Sequence, residues 1–239
     1  MKENKIIQHF KNYDIFTNKD VFEFYRTDEK KLSKSTVNWR IYDLIQSGLI
    51  SRIGRGKFKV GSSNKFRPTL NKKELAIGHH IRKHFPFIDY CIWNSTIINE
   101  FSRHQSFNDF IIIETERDVL DAVFYALKEK YRKVYLQPKR DIVEHYLLEM
   151  SNVIIIQHLV SEAHIQNIEK IPTITIEKLL VDIVFGKELF YFYQGYELVN
   201  IFNQAFDKYT INTSTLVRYA SRRKRKQEII KLLKSINRY

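Results

Sequence analysis

A chain of 239 residues with 44% hydrophobic side chains and only 11 glycines and prolines has the composition of a folded protein, not of a collagen-like, proline-rich or disordered one. Its single cysteine, Cys91, excludes an internal disulfide framework and a cysteine-based zinc site. The net charge of +13 is concentrated: residues 1–67 carry 15 basic and 7 acidic groups, residues 218–239 carry 9 and 1, and the stretch between them carries 16 and 19.

The first elements are short. Ile6, Ile7 and Phe10 fall at helical spacing within residues 3–11. Thr17 reads as the N-cap of a second helix over 17–25, and Ser33 or Ser35 as the cap of a third that runs to Gln46 and stops at Ser47-Gly48. A strand from Leu49 to Ile53, a tight turn at Gly54-Arg55-Gly56 and a return strand Lys57–Val60 complete a basic hairpin. Three helices and a basic hairpin are the order of a winged helix-turn-helix, expected over 1–66.

Projected at 100° per residue, the third helix turns Val37, Ile41, Leu44 and Ile45 inward, and Ser35, Trp39, Tyr42 and Gln46 away from them. Two large aromatics on an outward face suit a helix that enters a groove or packs on another subunit. Lys34, Ser35 and Thr36 at its start are placed to reach phosphates or base edges, with Asn38 and Arg40 at the shoulders. The hairpin offers Arg52, Arg55, Lys57 and Lys59 to a DNA backbone or minor groove. A winged helix used for protein contacts is the alternative.

After a linker at Lys65–Thr69 the pattern alternates. Helices are expected over 69–85, 96–102, 117–131, 140–150 and 177–185, and strands over 87–93, 110–115, 133–137 and 153–158, with a short extended piece at 173–176. This predicts an α/β domain, residues 67–239, with a mainly parallel sheet. From Tyr191 the chain reads as helical to its end, over 191–209, 214–220 and 222–236.

The middle segment offers little chemistry. It has no phosphate-binding glycine loop and no Gly-x-Ser-x-Gly elbow. His80 and His84 share a helix face at metal-capable spacing, without a third ligand or a zincin glutamate. A metal-dependent nuclease would draw on Asp109, Glu114, Glu116 and Lys139, but the acidic partner such a lysine needs is Gln137 here. No metal and no cofactor is expected, and the chain reads as a binding protein before an enzyme. In the tail, Arg218, Arg222, Arg223, Lys224, Arg225 and Lys226 form a dense basic run beside an apolar stripe of Ile229, Ile230, Leu232, Leu233 and Ile236. A second surface for DNA or RNA, or a solvated helix face, are both open.

Two strings carry a resemblance: Asp43-Leu44-Ile45-Gln46-Ser47-Gly48-Leu49-Ile50-Ser51-Arg52-Ile53-Gly54-Arg55-Gly56, and Ile171-Pro172-Thr173-Ile174-Thr175-Ile176-Glu177-Lys178-Leu179-Leu180-Val181-Asp182-Ile183. Together with the order of parts they resemble AbiEi-type antitoxins, the regulator halves of bacterial abortive-infection toxin–antitoxin operons. The second string is similar to a "Pro-x-x-Thr-aliphatic-x-Asp" element of that family, with Glu177-Lys178 departing from the usual residues. The resemblance implies a DNA-binding autorepressor that recognises a double-stranded operator and opposes a nucleotidyltransferase-like toxin, generally without a stable complex. The alternatives are a metal-dependent nuclease and a nucleic-acid-binding interaction module without an operator.

No apolar run approaches the roughly 18 residues of a membrane helix, and the opening Met1-Lys2-Glu3-Asn4-Lys5 has no apolar signal core. With one lone cysteine, a cytoplasmic protein with no membrane partner is expected.

Overall fold

The computed structural model describes residues 2–29, 31–61, 64–106, 109–236 and 238, with side chains from Lys5 onward. The chain divides into two compact units, one of residues 1–66 with 206–215 and one of 67–205 with 216–239. The segment 206–215, expected in the α/β domain, therefore belongs with the first unit. Together the units are mixed α/β with a helical C-terminus. Among the described residues no helix is long and apolar enough to cross a membrane.

The first unit runs α1 (Lys2–Phe10), β1 (Phe16–Thr17), α2 (Asn18–Asp28), α3 (Lys34–Gln46), β2 (Ile50–Gly54) and β3 (Lys57–Val60). Thr17 caps α2 reciprocally with Asp20: its Oγ1 accepts the Asp20 N–H, and its own N–H donates to the Asp20 carboxylate at 2.7 Å. Ser33 caps α3 by accepting the Thr36 N–H at 3.1 Å. Gly48, at φ 70°, ends α3. The three strands form one antiparallel sheet, ordered β1-β3-β2, with Phe16 opposite Phe58. β1 is too short for alternation to reveal. Ile6, Phe10, Phe16, Val21, Val37, Ile41, Leu44, Ile50 and Phe58 make the core.

Residues 206–215 fasten to the hairpin. Thr213 Oγ1 donates to the Ile53 carbonyl (3.3 Å), and the Arg55 N–H donates to Ser214 Oγ (3.0 Å). A Cβ on Gly54 would come within 3.1 Å of Thr213 Oγ1 and 3.3 Å of Ser214 Oγ, so glycine lets the two segments approach this closely without crowding those hydroxyls.

The second unit is built on β4 (Tyr90–Asn94), β5 (Phe110–Thr115), β6 (Val134–Leu136) and β7 (Val153–His158), ordered β4-β5-β7-β6. β5 pairs in parallel with β7, and β7 with β6, while β4 is the antiparallel edge. β5 is buried along its whole length, as a strand covered on both faces must be. One face, with Ile111, Ile113, Ile154 and Ile156, packs with α4 (Lys72–His84) and α5 (Leu120–Lys130) in one core. The alternate residues Ile112 and Glu114 point to the other face, where Glu114 meets α7 (Ile176–Phe185).

Three expected elements differ. The helix over 140–150 shrinks to α6 (Arg140–Ile142) and a π turn, Val143–Leu147. The helix over 191–209 breaks at Gly195, φ 66°, into a 3-10 turn (Tyr191–Tyr193) and α8 (Tyr196–Lys208). The break expected at 221, between helices over 214–220 and 222–236, falls later: α9 (Thr213–Arg222) runs on, left-handed Lys224, φ 58°, follows it, and α10 (Lys226–Ser235) begins four residues late. One hairpin was unforeseen: β8 (Ile165–Ile168) and β9 (Ile171–Ile174) join through Glu169-Lys170, both left-handed. That two-residue turn ordinarily calls for Asn-Gly or Asp-Gly.

Candidate nucleic-acid interface and a buried ion cluster

α3 buries Val37, Ile41 and Leu44 and leaves Lys34, Ser35, Thr36, Asn38, Trp39 and Tyr42 exposed. Trp39 is 65% exposed and Tyr42 60%, an unusual display for rings of that size, which bury 150–250 Å² when packed. On the hairpin Arg52, Arg55 and Lys59 are exposed and Lys57 is half-buried. Among the described residues, the side chains of Lys34, Arg55 and Lys59 have no acidic partner.

Asn18, at the start of α2, joins these two features. Its side-chain amide donates to Asn38 Oδ1 on α3 at 3.0 Å, and its backbone N–H donates to the Gly56 carbonyl in the hairpin turn at 3.1 Å. Gly56 holds φ 66°, and a Cβ there would sit 3.0 Å from Asn18 Oδ1. The helix and the turn thus adjoin as one surface.

Arg40 does not belong to that surface. Its Nη2 donates to both Glu29 carboxylate oxygens, at 2.9 and 3.1 Å, and its guanidinium lies 4.5 Å over the Tyr25 ring, bracing α3 against α2. Ser35 Oγ lies 2.7 Å from Ser33 Oγ, within the cap.

The tail cations separate differently. Arg218, Lys224 and Lys226 are exposed, Arg222 pairs with Glu162, and Arg225 pairs with Glu228 at 2.6 Å. Arg223 is no surface group. It reaches inward to Asp182 Oδ1 at 2.7 Å, with its side chain only 18% exposed.

Asp182 belongs to a cluster in which Lys178 Nζ contacts both Glu114 on β5 and Asp182 one turn along α7. Tyr219 donates its hydroxyl to Asp182 Oδ1 at 3.0 Å, and Gln157 Nε2 donates to Glu114 at 3.4 Å. Two carboxylates face two cations, so the charges balance. Burial works against the charge on Lys178, but Asp182 and Glu114 more than offset it and hold its pKa well above the ordinary lysine value. Burial raises the Glu114 carboxyl, against the pull of Lys178. Burial and then Asp182 raise the Tyr219 hydroxyl.

Glu114, the carboxylate on which a nuclease site would draw, is thus sealed and ion-paired, while Lys139 is an exposed residue preceding α6. Among the described residues no three His, Cys, Asp or Glu side chains are disposed to hold a metal. The His80 and His84 rings lie 4.3 Å apart, and burial, then His84, lowers the His80 pKa.

The cluster was overlooked in sequence, yet it left a signal: a lysine and an aspartate four residues apart in the run Ile176–Phe185, where Glu177 is the one other polar residue. Charges in such a run must be paired when it is buried.

Residues 36–239 match the model of a family described as a family of unknown function (DUF6577), so the chain belongs to that family. No curated protein matches the chain.

Proposed function

We propose that this chain is a sequence-specific duplex-DNA-binding repressor whose residues 1–66 act as a winged helix-turn-helix. The observation that carries the proposal is the Asn18 bridge. It joins the exposed polar and aromatic face of α3 to a hairpin turn whose Arg55 has no acidic partner. In such a module the N-terminal half of α3 enters the major groove and the hairpin follows the backbone. Lys34, Ser35, Thr36 and Asn38 then meet phosphates and base edges, and Trp39 and Tyr42 supply apolar contact. Arg52, Arg55, Lys57 and Lys59 contribute charge that carries affinity more than sequence choice.

The resemblance to AbiEi-type antitoxins extends the proposal. In that reading the operator lies before the chain's own operon, residues 67–205 with 216–239 form the antitoxin-like effector domain, and the functional partner is a nucleotidyltransferase-like toxin. The sealed Glu114 favours a binding role over catalysis for this unit.

Selection of duplexes from a randomised pool by the full chain tests the proposal. Enrichment of one motif, bound at nanomolar scale and lost on Asn38→Ala, is the expected result. Recovery of random sequences, or of none, overturns it.

A further inference from the structure

A cleft of about 970 Å³ opens in the second unit at the carboxyl ends of β5 and β7. Glu116 and Arg117 follow β5, His158 ends β7, and Asp89 precedes the antiparallel β4, so all four lie at one end of the sheet. Ligands of open α/β sheets bind outside the carboxyl ends of the parallel strands. The volume lies at the upper end of the roughly 300–1,000 Å³ of small-molecule sites.

Two kinds of side chain line the cleft. Leu159, Val160, Ile165 and Phe185 are apolar, and the Arg225 guanidinium lies 5.9 Å over the Phe185 ring. The charged ones are Arg117, Lys187 and Arg222 to Arg225 with three carboxylates, Asp89, Glu116 and Glu162. Part of this charge is already used, since Arg222, Arg223 and Arg225 hold Glu162, Asp182 and Glu228. Arg117, Lys187 and Lys224 have no acidic partner among the described residues. Arg223 keeps a buried Nε–H without an acceptor, a group that costs free energy until something accepts from it. Two lining residues, Glu162 and Lys224, hold left-handed backbone at φ 58°. In a residue other than glycine that conformation persists only where surrounding structure enforces it.

We propose that this cleft binds a nucleoside polyphosphate. The phosphates meet Arg117, Lys187 and Lys224, and the base lies against Phe185 and Ile165. Neither part of the lining suits a simpler ligand: an inorganic anion leaves the apolar side chains wet, and an apolar molecule leaves the cations unmatched. Burial, then Arg117 and Arg223, lowers the pKa of His158. Asp89 and Glu116 face the same space from the other side. A bound polyphosphate screens the two arginines, so the His158 titration moves upward.

The test is calorimetry on the full chain with each of the four ribonucleoside triphosphates, inorganic tripolyphosphate and a short single-stranded RNA. The proposal expects micromolar binding of at least one nucleoside triphosphate. Tripolyphosphate should bind about tenfold more weakly. Lys187→Ala with Lys224→Ala should also weaken nucleotide binding by about tenfold or more. Both lysines are exposed, so the thermal midpoint of the unliganded double variant should match wild type, and a proton NMR titration should show the His158 shift only when nucleotide or tripolyphosphate is bound. Three outcomes overturn the proposal: no nucleotide binding up to millimolar concentration, equal binding by the double variant, or RNA binding that nucleotides do not displace. Each is independent of operator binding by the first unit.

Discussion

The two basic segments carry the same net charge, +8 each, and differ in how much of it anions nearby hold. In the first unit Lys34, Arg55 and Lys59 stand exposed without acidic partners beside two exposed aromatics, and among the candidate DNA-binding residues Arg40 is held by Glu29. In the tail Arg222, Arg223 and Arg225 are matched to Glu162, Asp182 and Glu228, and one of the three is largely withdrawn from solvent. Charge density along a sequence is therefore a poor guide to which cations are available. Long-range attraction to a polyanion needs cations that anions nearby do not cancel, and half of the tail's basic run, Arg222, Arg223 and Arg225, is so cancelled while Arg218, Lys224 and Lys226 stay exposed.

The contrast fails if the tail's ion cluster proves dispensable. Lys178→Met should have the largest effect, because it leaves Glu114 and Asp182 buried with Arg223 as the only cation. Breaking a buried pair costs about 3–5 kcal/mol, read as a lowered urea midpoint of the second unit. The pH dependence has a definite sign. A lysine whose folded pKa lies above its unfolded value contributes stability fully present below the unfolded value, about 10.4, and lost as pH rises through the folded one. The wild type should therefore keep the Lys178 contribution through neutral and mildly alkaline solution and lose it only at strongly alkaline pH.

Arg223→Gln should come next, at about 1.5–3 kcal/mol, the worth of a hydrogen bond to a charged group. An unchanged melting curve would return Arg223 to the surface role that the sequence suggests. Trp39→Ala with Tyr42→Ala should change stability by no more than about 0.5 kcal/mol, as exposed substitutions do, while abolishing preference for the selected duplex. A large loss of stability instead would mean that the aromatics hold the first unit together. Arg222→Ala should matter least, about 0–1 kcal/mol, since both it and Glu162 are solvated.

The sequence made the first unit legible because its signals are local. Thr17 and Ser33 cap where expected, Gly48 stops α3, and Gly54-Arg55-Gly56 turns the hairpin. The outward face of α3 followed from periodicity alone. What escaped was non-local or chemically atypical. β1 is two residues long and exists only by pairing with β3. The Glu169-Lys170 turn lacks the residues that announce a hairpin. The last helix of the tail begins later than expected because Lys224 adopts a conformation usually reserved for glycine. Arg223 was misplaced because its partner lies 41 residues earlier in the chain, and only the fold brings them together. The cleft is hidden for the same reason, since its walls come from five separate stretches between Asp89 and Arg225.

The contrast between the segments is tested most directly by measuring duplex-DNA affinity against salt for two double variants, Arg55→Ala with Lys59→Ala and Arg222→Ala with Arg225→Ala. Each phosphate contact contributes about 0.9 to the slope of log affinity against log salt. The first pair should flatten the slope by about 1.8, and the second should leave it unchanged. A slope flattened by the tail pair and untouched by the hairpin pair would contradict the account.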